Sequence, residues 1–240
     1  MVGRAGSARG ALVVADGDVP RRAVLDGAWP GWADEVGLVI AADRGWEKAT
    51  AIGLLPDLLV GDADSLSEER FAELAAAGVP IERSPTAKDE SDAELALLAA
   101  LRQGATHVTV LGALGGKRFD HTIANVGLLG LPAPGEAEVE LLDGTTRVRL
   151  LRAPAAGGGP ANCSLSGEVG DLVSLLPLGV PAVGITTEGL LYPLRGETLA
   201  PGPARGLSNA RIAADASVSL RQGTLLVVET RTGTSAQEES

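Results

Sequence analysis

Two aspartates at spacing i, i+2 close the segment Leu58-Leu59-Val60-Gly61-Asp62-Ala63-Asp64-Ser65. On an extended chain, carboxylates two apart point to the same side. Holding two such charges together is unfavourable unless a cation lies between them or both face water. Other acidic residues stand where apolar runs end or helices begin: Asp16, Asp43, Asp89 with Asp92 three residues on, and Asp120. Any one of them is explained by turn or capping chemistry. Their convergence on one rim is not, and an oxygen-rich cluster of this kind suits Mg²⁺ shared with a phosphate ligand.

A glycine-rich stretch, Gly112-Ala113-Leu114-Gly115-Gly116-Lys117-Arg118, supplies the phosphate side. Glycines between a strand and a helix let backbone N–H groups approach a phosphate, and the helix N-terminus favours an anion. Lys117 and Arg118 carry charge suited to neutralising it, although the Gly-Lys-Ser/Thr ending of a Walker loop is absent. Lys88, beside Asp89, is either a phosphate contact or a surface lysine. His121 has no Ser or Cys nucleophile motif beside it, which leaves it a binding or orienting role. Ser91 and Glu94 read as a capping box, and Cys163 as a small core residue.

These residues need elements to position them. Ala11–Ala15, Val36–Ala42, Leu58–Val60 and His107–Leu111 read as strands, and Pro80–Ser84 as a short strand or an extended segment. Helices are expected over Trp46–Ile52, from a Ser65 N-cap with Glu68 three residues on to Ala77, from the Ser91 capping box to a stop at Gly104 with Leu95, Leu98 and Leu101 on one face, and from about Asp120 onward. Arg21 to Glu35 is poorly patterned, with Pro30 and Gly31 interrupting it. Alternating strands and helices mean βαβ units and a mostly parallel sheet, with ligands at the carboxyl ends of its strands. From Ala137 the pattern changes to short Val/Leu-rich runs broken by Gly and Pro. Among them are an Asp143-Gly144 hairpin and strands over Asp171–Leu176, Pro181–Thr186, Arg211–Leu220 and Thr224–Glu229. The expected organisation is an α/β domain over 1–134, an all-β sandwich over 135–230 and a disordered tail over 231–240.

Forty-five per cent of the 240 residues are hydrophobic and 2% aromatic, which supports an aliphatic core. A net charge of −11 argues against a nucleic-acid binder or a basic membrane-surface protein. The single cysteine permits no internal disulfide. No run reaches the length of a membrane span and the N-terminus lacks a signal peptide's apolar core, so a cytoplasmic protein is expected.

Taken together, Ala42-Asp43-Arg44-Gly45, Pro56 to Ser65, Lys88-Asp89-Glu90-Ser91-Asp92-Ala93-Glu94 and Gly112 to Asn125 resemble thiamine pyrophosphokinase (thiamine diphosphokinase) motifs in order and spacing. Glu188 to Leu194 and Gly206-Leu207-Ser208-Asn209 resemble that family's thiamine-holding segments. The resemblance implies an N-terminal nucleotide-binding catalytic domain, a C-terminal thiamine-binding sandwich, and a homodimer with the active site at its interface. It implies transfer of diphosphate from ATP to the hydroxyl of thiamine, giving thiamine diphosphate and AMP. By the same resemblance Asp62, Asp64, Asp89 and Asp92 organise Mg²⁺ and the polyphosphate. ATP is then met by Asp43, Arg44, Lys88, Gly115, Gly116, Lys117 or Arg118, Asp120 and His121, and thiamine by Tyr192, Ser208 and Asn209. Arg44 stands where many members have glycine, Tyr192 where tryptophan is often found, and Ala210 where an acidic residue is common. Two other readings remain open: a diphosphokinase for another alcohol, such as a hydroxymethyl-pterin, and a non-catalytic thiamine or nucleotide sensor.

Overall fold

A computed structural model describes residues 10–61, 68–84, 88–131, 137–154 and 158–233. The chain divides into two compact units, Met1–Gly144 and Thr145–Ser240. Over the chain the strand pairing is mixed, parallel in the first unit and antiparallel in a β-rich second unit.

In chain order the first unit contains β1 (Gly10–Val14), α1 (Arg22–Ala28), β2 (Val36–Ala42), α2 (Gly45–Ala51), β3 (Leu58–Gly61) and α3 (Glu68–Ala76). These are followed by β4 (Ile81–Arg83), α4 (Asp92–Arg102), β5 (His107–Leu111), α5 (Phe119–Leu128) and β6 (Glu138–Leu142). Its strands run in the order β6-β5-β1-β2-β3-β4, and each described neighbour pair is parallel. Near-continuous apolar sequence accounts for the centre: Leu12, Val13, Val14 and Ile40 are fully buried. Leu25 and Ala28 of α1 and Ala49 of α2 pack with Leu12, Val14 and Val39, while α4 lies against β1, β2 and β3. Ser91 caps α4 by accepting the Glu94 N–H at 3.1 Å.

Two features of this unit depart from the sequence reading. The poorly patterned segment contains α1, one face of which buries Leu25 and Ala28, with Trp29 following. The Trp29 indole N–H donates to the Asp143 carbonyl at 2.7 Å. Glu138–Leu142, expected within the second domain, runs parallel to β5 in the register His107↔Glu138 to Leu111↔Leu142.

The second unit contains β7 (Thr146–Arg152), β8 (Ala161–Leu165), β9 (Leu172–Pro177), β10 (Ala182–Glu188), β11 (Arg195–Leu199), a 3-10 turn (Ala204–Gly206), β12 (Asn209–Ala210), β13 (Ala216–Leu220) and β14 (Thr224–Thr230). The strands form two antiparallel series, β12-β9-β14-β7 and β11-β10-β13-β8. One apolar core lies between them, with Val173, Leu175, Leu225 and Val227 from the first and Ile185, Val218 and Leu220 from the second. The expected strand Arg211–Leu220 begins only at Ala216. Arg211 is 1% exposed and its guanidinium donates to the carbonyls of Leu165 at 2.7 Å and Ala214 at 2.5 Å, which holds the preceding residues as a loop. Nor is Arg231 a loose start to a tail. Its guanidinium pairs with Asp171 at 2.9 Å, and the Thr232 N–H donates to the same carboxylate at 3.0 Å.

Candidate active site

Within the first unit, β1 sits where the strand order reverses: β2, β3 and β4 lie to one side, β5 and β6 to the other. Open parallel sheets form their ligand crevice at such a point, outside the strand carboxyl ends. Here the crevice walls are the loop after β1, Ala15-Asp16-Gly17-Asp18, and the glycine turn after β5. The Ala15 N–H donates to the Leu111 carbonyl at 2.8 Å and the Gly17 N–H to the Gly112 carbonyl at 3.0 Å. A Cβ on Gly17 would stand 2.1 Å from the Gly112 oxygen and 2.5 Å from that of Gly115. Gly112 has φ +71°, a conformation that a side chain opposes. Behind the turn, buried Asn125 of α5 donates to the Ala113 carbonyl at 3.0 Å.

Next along the rim, Asp43 follows β2 with φ +51° and is 8% exposed. Its N–H donates to the Val60 carbonyl at 2.9 Å, and its carboxylate lies over Gly61, the last residue of β3. The sequence-predicted aspartates Asp62 and Asp64 come directly after and lie outside the described residues. Arg44 is exposed. Beyond β3, the Ser84 N–H donates to the Gly61 carbonyl at 3.1 Å. The Lys88 ammonium donates to the Ser84 hydroxyl at 2.7 Å and pairs with Asp92. Lys88 is therefore neither free on the surface nor isolated: it ties the start of α4 to the residue that follows β4. Asp89, beside it, is exposed.

At the start of α5 the sequence allowed Asp120 as an N-cap. It instead occupies the first turn, and Arg118 stands at the cap position without a side-chain cap bond. Arg118 and Asp120 form a two-point ion pair, with Nε to Oδ1 at 2.9 Å. The Arg118 hydrogen bond, aided by its charge, holds the exposed Asp120 carboxyl down from 3.8 to about 2 and raises the guanidinium in turn. The pairing is complete above the ordinary carboxylate range and is lost as pH falls through about 2. An NMR titration is expected to place the Asp120 midpoint near 2, and Arg118→Gln to return it toward 3.8. A wild-type midpoint already at 3.8 would refute the pairing. Gly115 and Gly116 complete the turn, while Lys117 and His121 are exposed beside this pair.

In the second unit the segment Gly189–Tyr192 lies beside Asn209–Ile212: the Leu191 N–H donates to Ala210 and the Ile212 N–H to Gly189, both at 2.9 Å. Ser208 has φ +55°, and its N–H donates to the Ser174 hydroxyl at 3.0 Å. Buried Asn209, expected among the thiamine contacts, turns its carboxamide onto Tyr192 instead. Its Oδ1 accepts the Tyr192 N–H at 3.0 Å and its Nδ2 donates to the Tyr192 carbonyl at 2.8 Å. The Tyr192 ring, with Leu191, Leu207 and Ile212, is exposed.

Residues 31–139 match the family model described as "Thiamin pyrophosphokinase, catalytic domain", and residues 162–225 match "Thiamin pyrophosphokinase, vitamin B1 binding domain". The chain belongs to the thiamin pyrophosphokinase family. A thiamine pyrophosphokinase of Bacillus subtilis (strain 168) is 25% identical over 199 residues, spanning 82% of this chain and 89% of that protein. The crystal structure of thiamine pyrophosphokinase from Bacillus subtilis superposes with a TM-score of 0.78 at 25% identity, over 93% of this chain and 99% of that one. Yeast thiamin pyrophosphokinase shares the fold, with a TM-score of 0.70 at 17% identity over 95% and 88% of the two chains. As a thiamin pyrophosphokinase, the chain is an ATP-dependent diphosphotransferase. Reading the sequence did not single out Lys48 or Asn125. Both act on carbonyl groups of other segments, for which a lysine or asparagine in a helix carries no distinctive signal.

Proposed function

We propose that this thiamin pyrophosphokinase uses Asp62, Asp64, Asp89 and Asp92 to organise Mg²⁺ and the polyphosphate of ATP, over the main-chain cradle at the reversal of strand order. The single observation that carries this reading is that cradle: a glycine turn locked to the loop after β1, with acidic segments along the same rim. Among the described residues, no three carboxylate, histidine or cysteine side chains converge as a metal site. The proposed metal site joins Asp62 and Asp64 to Asp89 and to Asp92 at the start of α4. An all-carboxylate set fits a hard cation that keeps some of its water. When bound, Mg²⁺ supplies charge neutralisation on the phosphate oxygens.

The chain's own residues do the positioning, which carries most of the catalysis in phosphoryl transfer. Backbone N–H groups of Gly115 and Gly116 and the N-terminal end of α5 receive the phosphates. Lys117 or Arg118 balances charge at the mouth, Asp120 and His121 lie beside them, and Asp43, Arg44 and Lys88 complete the nucleotide side. The thiamine hydroxyl oxygen bonds to the β-phosphorus, the bond from that phosphorus to the oxygen of AMP breaks, and the hydroxyl proton is released. Tyr192 stacks on thiamine and Ser208 hydrogen-bonds it, with Asn209 holding Tyr192 in place. The first unit, ending at Gly144, serves as the nucleotide-binding catalytic domain and the second, a β-sandwich, as the thiamine-binding one. The enzyme works as a cytoplasmic homodimer with its active site at the interface. No described helix is long and apolar enough to cross a membrane.

Incubation with ATP, Mg²⁺ and thiamine is expected to yield AMP and thiamine diphosphate in equal amounts. AMP formed only with a hydroxymethyl-pterin would move the substrate, and ligand binding without any AMP would end the catalytic reading.

A further inference from the structure

Lys48 lies in α2, one turn after Gly45. Its ammonium donates to the Asp16 carbonyl, to the Gly17 carbonyl at 2.5 Å, and lies 3.1 Å from the Asp16 carboxylate. Two carbonyl hydrogen bonds and one ion pair thus turn the ammonium onto a single loop. The Lys48 side chain is 26% exposed. What it grips is the loop after β1, and that loop is one wall of the cradle.

Few main-chain bonds hold that wall. Asp16, Gly17 and Asp18 belong to no helix or strand. Across the crevice, the Gly17 N–H reaches Gly112, and a Cβ on Gly115 would stand 3.0 Å from that of Asp18. A shift of the loop would move Gly17 against the carbonyl groups of Gly112 and Gly115, and so re-aim the N–H groups of the turn. Two carbonyl oxygens side by side on one loop repel each other, and the ammonium between them removes that cost.

We infer that Lys48 is a positioning residue for diphosphate transfer, acting through the Asp16–Asp18 loop to hold the glycine turn in its phosphate-binding shape. The inference rests on the reading of this rim as the Mg-ATP site. Its role is distinct from that of Lys117 and Arg118, which face outward at the end of the turn.

The test compares wild type, Lys48→Met and Lys48→Arg in the full-length chain, by calorimetric titration with Mg-ATP and by steady-state kinetics. Lys48→Met is expected to weaken Mg-ATP about tenfold, in dissociation constant and KM, with the KM for thiamine within about twofold of wild type. Lys48→Arg, which keeps charge and donors, is expected to recover most of the loss. Equal Mg-ATP constants in wild type and Lys48→Met would overturn the inference. A Lys48→Met variant with a lowered unfolding temperature and both KM values raised alike would overturn it too, since that is a merely structural loss. If wild type makes no thiamine diphosphate, the reading of the site falls. Lys48 is then judged by Mg-ATP binding alone, where equal constants overturn its role and tenfold weakening upholds it.

Discussion

Asparagine at Asp64 is expected to lower turnover by on the order of a thousandfold or more, with the unfolding temperature within a few degrees of wild type. The substitution keeps the size of the side chain and removes its charge. An amide oxygen is a weaker ligand for a hard cation than a carboxylate, and the paired aspartates Asp62 and Asp64 supply half of the proposed acidic set. The loss should appear in kcat and be relieved in part by raised Mg²⁺, which a merely structural defect would not reproduce. Near-normal production of AMP by Asp64→Asn at low Mg²⁺ would remove this residue from the metal site.

The second large effect belongs to Gly61→Ala. A Cβ there would lie 2.0 Å from the Asp43 carboxylate oxygen and 3.1 Å from its carboxyl carbon. Asp43 cannot step aside freely: it is buried, its φ is +51°, and its N–H is held by the Val60 carbonyl. Relief must come from the end of β3 or from the Asp43 side chain. Overpacking of this kind costs about 1–3 kcal/mol, or several degrees of unfolding temperature in a chain this long. Activity is expected to fall further than stability does, because Asp62 and Asp64 of the proposed metal set follow Gly61 directly in the sequence. Asp43→Ala should restore stability in the Gly61→Ala background more than it changes the wild type. Additive effects in the double variant would show that the two residues do not collide.

The elements that were legible in the sequence are those whose apolar positions are buried in an unbroken run. β1, β2 and β5 are short apolar runs between polar turns, and their Leu, Val and Ile positions are almost all fully covered. α4 was legible for a different reason, since its cap and apolar face are both local. α1 was not, because seven residues with Leu25 and Ala28 as the buried positions make too weak a pattern. β8, Ala-Asn-Cys-Ser-Leu, and β11, Arg-Gly-Glu-Thr-Leu, are edge strands whose order comes from pairing with β13 and β10. The candidate site divides in the same way. Asp43 and the glycine turn belong to contiguous motifs, so their place at strand ends could be read. The engagement of Lys48, Asn125 and Asn209 with distant backbone could not, because an amide or ammonium aimed at a carbonyl leaves no trace in residue order.

The meeting of Gly17 with Gly112 and Gly115 also bears on how such an enzyme can change over generations. Main chain faces main chain there, at separations that leave no room for even a methyl group. Mutation has nothing to adjust at that seam without breaking it, so the seam offers selection few graded steps. The exposed Leu191, Leu207 and Ile212 around Ser208 can be exchanged one at a time while the buried Asn209 carboxamide keeps Tyr192 in register. If the proposed thiamine contacts hold, drift toward a new acceptor alcohol, or a laboratory search for one, has its raw material in the second unit.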